Sequence, residues 1–209
     1  MTEAELSEAE HIFVASRGFA DMLAERGLPA SYLPQCTDPE ICNTAQAEPR
    51  FATNVLFVGN RRDYAPRPVV EYALNAGAEL AVWGRGWEGK LPEGVLRGRS
   101  IDYSDIGKHY GAARVVLNDH TADMKTHGFL SNRAFDVLAC GRPLLNEQMS
   151  GLPTDLAPYM RLYTATTFAA QLEAARQDAE QNREELAEHV QANHSFDCRA
   201  RSILDVMGN

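Results

Sequence analysis

The 209-residue chain carries a net charge of −9, with 44% apolar residues and both charge signs represented. That balance is ordinary for a globular protein with a sizeable core. The acidic excess excludes a general nucleic-acid or anionic-membrane surface, which needs a basic field, but it allows a small basic pocket for a phosphorylated ligand.

The opening residues Met1-Thr-Glu-Ala-Glu-Leu-Ser-Glu8 are acidic and have neither a basic n-region nor an apolar h-region. No apolar run approaches the roughly 20 residues needed to span a bilayer. The expectation is a cytoplasmic protein with no integral membrane segment. Ile12-Phe-Val-Ala15 reads as a short strand, residues 19–26 as a helix stopped by Gly27, and Ala30-Ser-Tyr-Leu33 as a second strand. Residues 34–53, rich in Pro, Thr, Asp and Asn, read as a linker. Cys36 and Cys42 within it stand six apart, which makes a disulfide conceivable, though nothing else suggests a secreted disulfide scaffold.

From residue 54 onward apolar runs alternate with helical spacing. Asn54-Val-Leu-Phe-Val58 reads as a central parallel strand buried on both faces, ended by Gly59-Asn60. A helix follows over residues 69–76, then the strand Glu79-Leu-Ala-Val-Trp83 and the glycine-rich turn Gly84-Arg-Gly-Trp-Glu-Gly89. Another helix covers residues 103–112 and leads into the strand Arg114-Val-Val-Leu117. Residues 131–146 read as a helix, a stop at Gly141 and Pro143, and a buried strand; Ser131 or Asn132 can cap the helix start. A short strand is expected around Leu162-Tyr163. Phe168, Leu172, Ala175, Ala179, Leu186 and Val190 then form an amphipathic stripe, and a last helix over 196–207 starts behind Ser195. The alternation implies an α/β fold, a doubly wound Rossmann-like parallel sheet with C-terminal helices.

Ligands of an open parallel sheet bind beyond the carboxyl ends of its strands. Those ends carry Gly59-Asn60-Arg61-Arg62, Gly84-Arg85-Gly86, Asn118-Asp119-His120 and the helix entry Asn132-Arg133. Glycines permit close backbone approach, arginines offer anion-binding forks, and a helix N-terminus favours phosphate. Each has a plainer reading as a turn, a solvated charge or, for Asp136 with Arg133, a one-turn ion pair of little worth. Asp119, His120, Asp123 and His127 fit no compact zinc pattern, and there is no GxSxG elbow. No metal site and no nucleophile are expected.

Three stretches carry a family resemblance: Val55-Leu-Phe-Val-Gly-Asn60, Trp83-Gly-Arg-Gly-Trp87 and Tyr110-Gly-Ala-Ala-Arg-Val-Val-Leu-Asn118. Together they resemble the C-terminal half of GT-B glycosyltransferases, in particular the spore-maturation CgeB-like branch of the group 1 enzymes. Arg133-Ala-Phe-Asp-Val-Leu-Ala-Cys-Gly141 is similar to that family's marker R-x-F-E-x-x-A-x-G, and His194-Ser-Phe-Asp-Cys-Arg199 to the segment opening its final helix. The resemblance implies a donor domain for a nucleotide-diphosphate sugar, with no tightly bound cofactor. Asn60, Arg61, Arg62, Gly84, Arg85, Asn132 and Arg133 would line the site, the arginines and the helix N-terminus holding the diphosphate. Asp136 would meet the ribose, and the stretch Arg97-Gly-Arg-Ser-Ile101, with Arg99, would lie beside the base. Two positions depart from the family: Asp136 replaces a glutamate, and Gly128 stands where group 1 enzymes often place another.

By the same resemblance, residues 1–35 would be a strand-helix-strand remnant of the acceptor domain, 36–53 the linker and 54–209 the donor domain. Such a remnant cannot bury a core alone. It must pack on the donor domain, pair with a second copy as a homodimer, or await a partner chain that brings the acceptor site. The alternative function is a non-catalytic nucleotide-binding or interaction module of the same fold.

Overall fold

The computed structural model describes residues 6–62 and 67–208. Strands β1 (Ile12–Val14) and β2 (Ala30–Tyr32) flank helix α1 (Arg17–Glu25) and pair in parallel as a small sheet. The main sheet comprises β3 (Thr53–Val58), β4 (Leu80–Trp83), β5 (Leu96–Gly98), β6 (Ala113–Asn118), β7 (Leu144–Glu147) and β8 (Met160–Tyr163). All its pairings are parallel, in the order β5-β4-β3-β6-β7-β8. Its helices are α2 (Pro68–Asn75), α3 (Tyr103–Ala112), α4 (Ala122–His127), α5 (Asn132–Ala139), α6 (Phe168–Asp178), α7 (Glu184–Asn193) and α8 (Phe196–Met207). This is the expected Rossmann-like architecture.

Alternation along the strands divides the core. Leu56, Val116 and Leu144 point to one face, where they meet Phe135 and Leu138 of α5 and Leu186 and Val190 of α7. Val55, Phe57, Val115, Leu117 and Leu145 point to the other, against Val69 and Ala73 of α2 and Phe168 and Leu172 of α6. Both faces are covered, so the strands are uninterrupted apolar runs.

Two features differ from the sequence reading. The stripe from Phe168 to Val190 is two helices, α6 and α7, broken over residues 179–183. The short helix α4 and the edge strand β5 have no strong periodicity and were not expected. All four cysteines are free, so Cys36 and Cys42 form no disulfide.

The 36–53 segment is a strap held against the main domain. Cys36, Thr37 and Cys42 are buried. Thr37 makes a parallel bridge to Ser195, with its N–H donating to the His194 carbonyl at 2.9 Å. Glycines in α3 admit the strap: a Cβ on Gly107 would stand 1.8 Å from the Ile41 carbonyl oxygen, and one on Gly111 2.9 Å from Ala47 Cα. The β1-α1-β2 unit rests on the α4–α5 connection. Ser16 caps α1, accepting from the Phe19 N–H at 3.1 Å and donating to the His127 carbonyl, while the Phe19 ring lies 5.7 Å from His127 and 6.0 Å from Phe129. Among the described residues, no helix is long and apolar enough to cross a membrane.

Candidate functional site

The strand order reverses between β3 and β6, the switch point where an open α/β sheet forms its crevice. Arg133, in the first turn of α5, spans it. Its Nη1 donates to Asn118 Oδ1 at 2.6 Å at the tip of β6, its Nη2 donates to the Val58 carbonyl at the tip of β3, and its guanidinium lies 5.1 Å from the Phe57 ring centre. Both acceptors are neutral, so these bonds position the guanidinium without cancelling its charge.

Asn118 is held in turn. It is fully buried, accepts from the Ser131 hydroxyl at 2.9 Å, and donates to Asn146 Oδ1 at 2.6 Å across β6 and β7. The Tyr163 phenol donates to the Asn118 carbonyl at 3.2 Å. Ser131 occupies the N-cap position of α5 without a side-chain cap bond, its hydroxyl being turned to Asn118. Asn132 follows it, exposed on the first turn. Asn118 and Asn146 share a signal in the sequence: each is an amide that ends an otherwise apolar run.

The glycines pack loop on loop. A Cβ on Gly84 would stand 2.1 Å from the Gly59 carbonyl oxygen, and one on Gly86 2.3 Å from that of Arg61. Between them the Gly59 N–H donates to the Trp83 carbonyl at 2.8 Å, the Arg61 N–H to the Arg85 carbonyl at 2.9 Å, and the Arg85 N–H to Asn60 Oδ1 at 2.8 Å. The Trp87 indole donates to the Gly59 carbonyl at 2.8 Å. The ladder of β3 and β4 thus continues into their loops, with Asn60 and Arg85 exposed at its end. Arg99, beyond β5, reaches Glu88 at 3.4 Å with a side chain 73% exposed, at the far side of this loop pair from Arg133.

Asp136 lies beneath this surface. It is 4% exposed and accepts from the Thr37 hydroxyl at 2.8 Å, with the Tyr103 phenol 3.5 Å away. Burial pushes its carboxyl up to about 6, against these donors and the nearby Arg133 charge. Thr37 had no site signal in the sequence.

Beside the switch lies a cavity of about 560 Å³, walled by Val69 and Tyr72 of α2, Asp119 and His120 after β6, Glu147 of β7 and Tyr163 of β8, with Arg62 also lining it. Arg67 pairs with Asp119 Oδ1 at 3.1 Å. Burial pushes the Asp119 carboxyl up to about 6 despite Arg67 and Arg133, and pushes His120 down to about 4.

Asp119, His120, Asp123 and His127 do not form a ligand cluster; among the described residues the candidate group is Asp155, His189 and His194. There, Asn193 donates to His189 Nδ1 at 3.2 Å and Arg199 to His194 Nδ1 at 2.7 Å. Each ring therefore carries its proton on Nε2, facing Asp155 Oδ2 at 3.0 and 2.7 Å. Two N–H donors on one carboxylate make a clasp between the C-terminal end of α7 and the β7–β8 connection.

The family described as glycosyl transferase-like matches residues 61–205. No curated protein matches the chain. Among solved structures, a sucrose-phosphate synthase from Thermosynechococcus elongatus aligns with a TM-score of 0.70 at 18% identity, over 98% of this chain and 59% of its own. A glycosyltransferase from Rickettsia africae aligns with a TM-score of 0.70 at 10% identity, over 100% and 68%. The pneumococcal O-GlcNAc transferase GtfA, solved with UDP and GlcNAc, aligns with a TM-score of 0.57 at 13% identity, over 99% and 48%. These likenesses establish the fold. The present chain spans little more than half the length of the first of them.

Proposed function

This chain belongs to the glycosyl transferase-like family, and on that premise we propose that its switch-point crevice binds the nucleoside-diphosphate part of a sugar nucleotide, as a donor domain of the CgeB-like branch. The observation that carries this reading is Arg133, held across the tips of β3 and β6 by two neutral acceptors. The N-terminus of α5 adds its dipole at the same place. Diphosphate is the leaving group of glycosyl transfer, so a positive, preorganised site there also favours bond cleavage. Asn60, Arg61, Arg62 and Arg85 line the approach from the loop pair, and the 97–101 stretch lies toward the base. Asp136 is the ribose partner in this reading and, at 4% exposure, is buried. No tightly bound cofactor is invoked.

Transfer itself is proposed for a complete catalytic unit. The acceptor side would come from a partner chain or from sequence beyond these residues, docked through the β1-α1-β2 unit. The test is calorimetric titration with UDP, GDP, ADP, CDP and dTDP. One responder is expected, and Arg133→Ala should weaken its binding by about 1.5–3 kcal/mol, the value of a charge-assisted bond. Absence of binding by all five at millimolar concentration would overturn the reading.

A further inference from the structure

We infer that the cavity beside the switch point reads the hydroxyl groups of the donor's sugar, with Asp119 and His120 as the specificity-determining pair; this rests on the donor-domain reading above. Two buried polar atoms, Asp119 Oδ2 and His120 Nδ1, find no hydrogen-bond partner among the described residues. The residues are 4% and 7% exposed, and both line the cavity. Unpaired buried polar atoms are costly, so their persistence points to a ligand.

The hydrogen bonds fix what each atom offers. His120 Nε2 faces two N–H groups, the Ser131 backbone at 3.4 Å and the Asn118 amide at 3.5 Å. It must present its lone pair to them, which leaves the proton of a neutral ring on Nδ1. Asp119 uses Oδ1 for Arg67 at 3.1 Å, and its Oδ2 is an acceptor. An N–H donor and a carboxyl acceptor on adjacent residues match a hydroxyl group, which both accepts and donates. The carboxylates of Asp119, Asp123 and Glu147 line it against the cations of Arg62 and Lys125, a balance that suits a neutral hydroxylated group better than a phosphate. Val69 and the Tyr72 ring supply an apolar wall for the C–H face of a pyranose, and about 560 Å³ accommodates a ligand ring.

Position agrees with chemistry. Asn118 holds Arg133, and Asp119 is the next residue, tied to Arg67 ahead of α2. A diphosphate at Arg133 would therefore place its attached sugar within reach of Asp119 and His120.

The experiment compares a nucleoside diphosphate with two of its sugar derivatives that differ at one hydroxyl, UDP-glucose and UDP-galactose or the equivalent pair for the responding base. Wild type should rank the two sugars by tenfold or more. Asp119→Asn and His120→Gln should compress that ratio to threefold or less while the diphosphate alone binds within twofold of wild type. A ranking that survives both variants, a wild type that does not discriminate, or a parallel loss of diphosphate affinity would overturn the inference and leave the donor-domain reading standing. If no diphosphate binds wild type, both readings fall together.

Discussion

The Thr37 hydroxyl donates to Asp136 Oδ1 across 2.8 Å, tying the strap to the helix that bears Arg133, between residues 99 apart in sequence. Thr37→Val removes that donor from a buried carboxyl at nearly constant shape. It should cost about 1–3 kcal/mol in chemical denaturation. The Asp136 carboxyl, already up at about 6, should titrate higher still, which carboxyl-carbon NMR would resolve. An unchanged midpoint in both measurements would show that the contact contributes nothing.

Gly84→Ala should be among the most damaging small substitutions. Its Cβ would sit 2.1 Å from a backbone oxygen, at a φ of 153°. A loss of more than about 3 kcal/mol is expected, as for other backbone clashes combined with strain. Gly89→Ala is the matched control. It has a φ of 68° with nothing within 4 Å of its Cβ, and should cost only about 1 kcal/mol.

Asp119→Asn should stabilise the ligand-free protein, in a pH-dependent way. The folded carboxyl sits at about 6 and its ordinary value is 3.8, so between those limits the native state binds more protons than the unfolded state. The charged form is thus disfavoured by up to about 3 kcal/mol above pH 6. Asparagine removes that cost, which is already net of the Arg67 ion pair. The gain in melting temperature should be largest at neutral pH, decline as pH falls through 6, and vanish near pH 4, where Asp119 is protonated. A gain that did not change with pH would contradict the buried-charge explanation.

Arg133→Lys separates charge from geometry. An ammonium keeps the positive charge but lacks the planar fork that reaches Asn118 and Val58 together. Diphosphate affinity should fall less than in Arg133→Ala, while thermal stability falls in both. Equal loss of binding in the two variants would mean that the fork, not the charge, holds the ligand.

The sequence made some of this arrangement legible and hid the rest, for physical reasons. Strands β3, β4 and β6 are apolar runs because both sheet faces are covered, and a polar residue such as Asn118 ending such a run marks a strand tip. Gly84 and Gly86 correctly signalled close backbone approach, but the approach is to the Gly59–Arg61 loop. The break between α6 and α7 was hidden because Ala179 and Leu186 keep the apolar spacing across it. The half-exposed edge strand β5 has too few buried positions to show alternation. Thr37, in a segment composed like a linker, was invisible as a partner of Asp136, since that contact exists only once the strap lies against α5.

The interlocked glycine loops bear on how such a site can be altered. Asn60 and Arg85 reach the surface on two segments joined rung by rung, from the Gly59 N–H to the Trp83 carbonyl and from the Arg61 N–H to that of Arg85. An insertion in either segment shifts the register of both, so their side chains cannot be repositioned one at a time. The unit open to redesign is the loop pair exchanged whole, with Gly84 and Gly86 retained. Libraries that vary one loop alone should return mostly unfolded protein.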